Sequence, residues 1–126
     1  MKVLVFGNPL VEIDSAALKI ANELDGKLDG IEFKRFDTAE DLEKEGKELV
    51  ILDSVVGLEK PRLVTIDELE VQKAYSLHDF DLGWNLLLLK KIGKLEKAVI
   101  IGVPAKKPVK ESLGEVKKIL VLVAKH

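Results

Sequence analysis

The chain has 126 residues, a length that suits one domain around one core. Hydrophobic residues make up 47% and charged residues 33%, and the formal net charge of −2 leaves no basic footprint for nucleic acid. Cysteine is absent, which excludes disulfides, thiolate metal sites and cysteine nucleophiles together, and fits a reducing compartment.

The first apolar run, Val3-Leu4-Val5-Phe6, is too short for the apolar region of a signal peptide. No later run reaches the length of a membrane span, so a cytoplasmic protein without membrane association is expected. The same run is apolar on both faces, as a buried parallel strand requires, and it stops at the turn formers Gly7-Asn8-Pro9. Ile13, Ala17, Ile20 and Leu24 then recur at helical spacing, with Gly26 as the stop. Ile31 to Phe36 alternates apolar and polar residues, the pattern of an edge strand. Thr38 to Lys44 reads as a short helix, with Thr38 as its cap and Asp41 in the capping-box position.

Leu49-Val50-Ile51-Leu52 is a second fully apolar run, ending at Asp53-Ser54. Gly57 and Pro61 mark a loop, and Arg62 to Ile66 reads as a fourth strand. Residues 68–79 show no clear period. Asp79 to Lys94 is a leucine-rich helix, with Ser76, Asp79 or Asp81 available as its cap. Ala98-Val99-Ile100-Ile101 is a last buried strand, ended by Gly102. Pro104 and Pro108 bracket a loop, and a final helix covers 110–124.

Strands alternating with helices predict a single α/β domain over residues 1–126. The expected form is a three-layer sandwich with a mostly parallel central sheet of about five strands. Right-handed crossovers give the central order second, first, third, fifth. In such a sheet, ligands bind beyond the carboxyl ends of the strands, where the winding reverses. That point falls between the first and third strands.

Asp53 ends the third strand, and Asp14 follows the first strand at the start of its helix. His78 stands just before the leucine-rich helix. Each has a plainer use alone. Asp14 can favour a helix N-terminus, Asp53 can hold a loop, and His78 can be a solvated residue at a helix start. Together, two carboxylates and an imidazole form a donor set for a borderline divalent metal, with positions left for substrate or water. Other signals are weak. Gly7-Asn8-Pro9 is no dinucleotide fingerprint, and Ser15, Ser54, Ser76 and Ser112 lack a nucleophile-elbow context. Trp84 reads as core or interface, and Ala105 to Pro108 as a solvated turn.

A phospho-acceptor receiver domain shares this layout, with Asp53 and Lys107-Pro108 in matching places. It needs acids directly at the end of the first strand, where this chain has Phe6-Gly7-Asn8, and it leaves His78 without a role. A flavodoxin-like carrier needs a Ser/Thr-rich phosphate loop after the first strand, which is missing.

Four stretches in order resemble the hydrogenase maturation proteases, endopeptidases that process the large subunit of nickel–iron hydrogenases. They are Gly7-Asn8-Pro9-Leu10 with an acid six residues after Asn8, the strand running into Asp53-Ser54-Val55, Ser76-Leu77-His78-Asp79, and Val99 to Pro104. The resemblance implies that Asp14, Asp53 and His78 are the catalytic and metal-binding residues. It implies that they recognise nickel already carried by the precursor of the large subunit, with no permanently bound cofactor. It further implies removal of the precursor's C-terminal extension. Three differences from the family pattern stand out. Asp14 occupies a position that is usually Glu, the turn lacks the first Gly of Gly-x-Gly-Asn, and the segment after Pro104 is short. The alternative is a non-catalytic relative that binds a partner or a metal.

Overall fold

The computed structural model describes residues 1–7, 10, 12, 15–36, 42–71 and 77–125, and leaves the side chains of 70, 71 and 77–81 undescribed. In chain order its elements are β1 (Lys2–Phe6), α1 (Ala16–Leu24), β2 (Glu32–Phe36), a 3-10 turn (Leu42–Glu45), β3 (Glu48–Val55) and β4 (Arg62–Val64). They continue with α2 (Ile66–Val71), α3 (Leu77–Lys91), β5 (Lys97–Pro104) and α4 (Val109–Ala124).

The strands form one sheet in the order β2-β1-β3-β5-β4. All neighbours pair in parallel except β4, which runs antiparallel to β5. The expected central order is therefore observed, and the winding reverses between β1 and β3. Alternate residues of the apolar strands fill two cores. Val3, Val5, Leu52, Ile101 and Val103 face α1 and α4, which supply Ala17, Ile20, Val116 and Leu120. Leu4, Phe6, Ile51, Val55 and Ile100 face α2 and α3, which supply Leu69, Leu82 and Leu86. Helices on both faces of the sheet make the three-layer sandwich.

β3 and β5 are longer than their apolar runs. Their pairing continues from Glu48↔Lys97 to Val55↔Pro104, so Asp53, Ser54 and Gly102 lie inside the ladder. Gly102 does not end its strand, contrary to expectation. A Cβ there would meet Leu58 Cδ1 at 2.9 Å, Val64 Cγ1 at 3.0 Å and Val55 Cγ2 at 3.1 Å, so the glycine permits a close approach over the sheet.

The fourth strand stops at Val64 because Thr65 begins α2 instead. The Glu68 N–H donates to Thr65 Oγ1 at 3.2 Å, and the Thr65 N–H donates to Glu68 Oε1 at 2.9 Å. This is a capping box, in which both partners satisfy helix-start donors. The short helix expected at 38–44 is replaced, over the described residues, by the 3-10 turn from Leu42; Thr38 and Asp41 lie outside them. Ile13 also lies outside, and α1 begins at Ala16. α3 starts two residues before the expected Asp79 and ends at Lys91, ahead of Gly93 with φ +78°. Trp84 on α3 is 54% exposed and is not a core residue.

At the amino edge of the sheet, Glu45 joins two strands. Its Oε1 lies 3.0 Å from Lys2 Nζ and its Oε2 lies 2.9 Å from Lys34 Nζ. Hydrogen bonds from Lys34 and then Lys2 hold the Glu45 carboxyl below its ordinary range. Among the described residues, no helix is long and apolar enough to cross a membrane.

Candidate active site at the carboxyl edge of the sheet

β1 leaves the sheet at Gly7, and α1 starts at this same carboxyl edge on one face. α3 returns to the amino edge, where the Glu96 N–H beyond its end donates to Lys47 O at 2.8 Å beside the start of β3. The N-terminus of α3 therefore lies at the carboxyl edge too, on the opposite face from α1. The two helix starts flank the place where the winding reverses, which is where the fold leaves room for a ligand.

Asp53 stands near the end of β3, on the face that carries Ile51 and Val55 toward α3. It is 0% exposed, and its Oδ1 accepts the Ser54 N–H at 3.0 Å. Ionised carboxylates are kept at such depth where hydrogen bonds or a cation stabilise them. Ser54 projects to the other face, and its Oγ accepts the Ala17 N–H at 3.0 Å. Consecutive residues of one strand thus serve the two layers, as strand alternation dictates.

Asp14 lies outside the described residues. Ser15, its neighbour, is the N-cap of α1, and Glu12 stands two residues before Asp14. The Glu12 carbonyl accepts both the Ser15 N–H at 3.2 Å and the Ser15 hydroxyl at 2.8 Å. His78 is the second residue of α3; its side chain lies outside the described residues. Among the described residues, no group of three or more His, Asp or Glu side chains could hold a metal ion. Of the three proposed ligands, only the Asp53 side chain is among them.

A groove of about 420 Å³ opens at the amino edge, between Lys2, Glu45, Glu48 and Lys97, remote from the strand ends that carry Asp53. A second groove, of about 480 Å³, adjoins the candidate site between the start of α1 and the β5–α4 loop. Glu12, Ser15, Lys19 and Lys106 are on its walls. The loop read as a solvated turn is thus one wall of a groove, with Lys107 Nζ 3.2 Å from Glu59 Oε2. The residue that sequence reasoning passed over is Ser54. Its one visible signal is a hydroxyl on the alternate face of a strand whose neighbours are apolar.

The fold is similar to that of the hydrogenase maturating endopeptidase HybD from Escherichia coli, at 21% identity and a TM-score of 0.67, over 98% of this chain and 91% of that one. It is similar to the NiFe hydrogenase maturation protease HybD from Thermococcus kodakarensis, at 22% identity and a TM-score of 0.66, over 98% and 99% of the two chains. It is also similar to the endopeptidase HycI from Escherichia coli, at 18% identity and a TM-score of 0.59, over 94% and 87%. No protein-family model matches the chain, and no curated protein does. The likeness is one of fold, and it agrees with the resemblance carried by the four sequence stretches.

Proposed function

We propose that this protein is a cytoplasmic endopeptidase that removes the C-terminal extension of a nickel-loaded nickel–iron hydrogenase large-subunit precursor. The nickel belongs to the substrate and acts as the recognition element. The observation that carries this reading is the buried Asp53 at the strand end where the winding reverses, in a fold shared over 98% of the chain with a named maturation endopeptidase. Two carboxylates and an imidazole suit a borderline divalent ion, so Asp14, Asp53 and His78 fit as the groups that would meet the precursor's metal.

The precursor's nickel supplies Lewis-acid polarisation once it is seated. The protein's own part is to hold and orient. Asp53 presents a carboxylate whose direction is set by the Ser54 N–H. An imidazole nitrogen of His78 would complete the donor set. With the metal fixed, the scissile bond is confined to the crevice, and that confinement provides much of the rate. A carboxylate oxygen accepts the proton of the attacking water. The chain has no cysteine, and the Ser54 hydroxyl is engaged by Ala17 on the opposite face, so neither is a nucleophile in this reading and the attacking group is a water.

The test is to incubate the purified protein with nickel-loaded precursor and follow the precursor's mass. Loss of one C-terminal peptide is expected with nickel and not without it. Asp53→Asn and His78→Ala are each expected to slow cleavage by at least about 100-fold. A folded protein that leaves every nickel-loaded precursor intact would sink the protease reading and favour a binding relative that cuts nothing.

A further inference from the structure

We infer that the groove between the start of α1 and the β5–α4 loop docks the peptide segment that is cut away, and that Lys19 and Lys106 take an acidic side chain of that segment. The inference deepens the endopeptidase reading and rests on it for the identity of the peptide. Shape and place come first. The groove encloses about 480 Å³, within the range of roughly 300–1,000 Å³ common to ligand pockets. Ala105 on its wall donates its N–H to the Val55 carbonyl at 3.2 Å, and Val55 follows Asp53 by two positions on β3. The wall therefore begins roughly 10 Å from Asp53 along the backbone, which an extended chain covers in about three residues. Asp53 serves the α3 side of the sheet, and the groove lies on the α1 and α4 side. A peptide crossing the strand ends from the first meets the second.

Charge comes second. Lys19, Lys106 and Lys107 line the groove against one acid, Glu12, in a chain whose net charge is −2. Lys107 is held by Glu59. Among the described residues, Lys19 and Lys106 form no ion pair, so both are open to a carboxylate. The backbone adds to their field. Ser15 and Ala16 at the start of α1, and Pro108 and Val109 at the start of α4, are on the walls, so the positive ends of two helices face one space. The choice of occupant follows from size and reach. A protease acting near a C-terminus meets a folded body that stays and a short segment that leaves, and a groove of this size admits only the segment. The segment's free terminal carboxylate would reach the lysines only if the segment were about three residues long, whereas a side-chain carboxylate reaches them at any length.

The experiment compares the full-length wild type with the double variant K19Q/K106Q, with Glu12→Gln, and with Lys118→Gln on the body of α4 as a charge control. Two quantities are measured. One is the affinity for the precursor's extension as a synthetic peptide, by titration calorimetry without nickel. The other is kcat and KM for cleavage of the nickel-loaded precursor. The peptide is used in three forms: unaltered, with its Asp and Glu residues changed to Asn and Gln, and with its C-terminus amidated. K19Q/K106Q is expected to bind the unaltered peptide about 5- to 10-fold more weakly and to raise KM by the same factor, with kcat little changed. Glu12→Gln, which removes the opposing charge, should tighten the peptide about twofold. Lys118→Gln should change neither quantity. Wild type should bind the acid-free peptide as weakly as the double variant binds the unaltered one, and amidation should have no effect. Added salt should narrow the gap between wild type and the double variant.

The inference is overturned if K19Q/K106Q matches wild type in peptide affinity and KM, or if the acid-free peptide binds as tightly as the unaltered one. A loss on amidation alone would move the contact to the terminal carboxylate and overturn the assignment to a side chain. Cleavage by wild type with a KM indifferent to both lysines removes the docking role alone. Lysine-dependent peptide binding without cleavage of any precursor removes the protease reading and leaves the groove as an acidic-peptide site. Neither binding nor cleavage by wild type removes both.

Discussion

Two helices begin by different means. α2 brings its own cap: Thr65 and Glu68 satisfy each other's N–H groups within one turn, and Glu68 also holds Arg62 at 2.6 Å. α1 borrows its cap from β3, because Ser15 faces backward and Ser54 reaches its first turn across the layer boundary. The local device draws on no residue outside Thr65 to Glu68. The long-range device makes the start of α1 a reporter of the end of β3. It is the borrowed cap, and not the self-contained one, that lies beside the candidate site.

Breaking the borrowed cap has the largest expected consequence. Ser54→Ala leaves the buried Ala17 N–H without its acceptor, at a cost toward the top of the roughly 1–3 kcal/mol range for an orphaned donor, measurable as a lower midpoint in urea. Breaking the local cap costs less. Thr65→Ala is expected to lose about 1 kcal/mol, since its donors are exposed and water can replace the hydroxyl. No change at the α1 end should accompany it, which amide exchange at Ala17 would check.

The smallest effect is one of pH. The Arg62 guanidinium, and then the Thr65 N–H, hold the Glu68 carboxyl at about 2, against an ordinary value of 4.5. A depressed carboxylate contributes stability that is complete above about pH 4.5 and is lost as pH falls toward 2. Glu68→Gln should therefore lower stability slightly above about pH 4.5 and converge with wild type as pH falls toward 2, flattening the profile across that window. The pair is solvent-exposed, so the effect should shrink in high salt.

The same contrast explains what could be read in the sequence. The central sheet order and the point where the winding reverses were legible because the buried parallel strands are short runs apolar on both faces, separated by turn formers. Asp53 was legible because it directly follows such a run. α2 was missed although Thr65-Ile66-Asp67-Glu68 carries its capping box, because six residues are too few to show a helical period. Gly102 was misread because a glycine after an apolar run looks like a stop; the close approach of Leu58 and Val64 is made by residues distant in sequence. Ser54 was passed over for the same reason. Its partner is set by the way the layers stack, and no local pattern encodes that.

The short antiparallel strand β4 has a consequence for life at high concentration. A parallel sheet ending at β5 would present an eight-residue row of open backbone groups, ready to template another molecule. β4 covers that row with only three residues, led in by Pro61 and opened by the charged Arg62. A strand arriving from a second molecule would find little ladder to extend and a cation to desolvate. At the other border, β2 sets Glu32, Lys34 and Arg35 outward. Both borders of the sheet are thus built to discourage fibre-like growth.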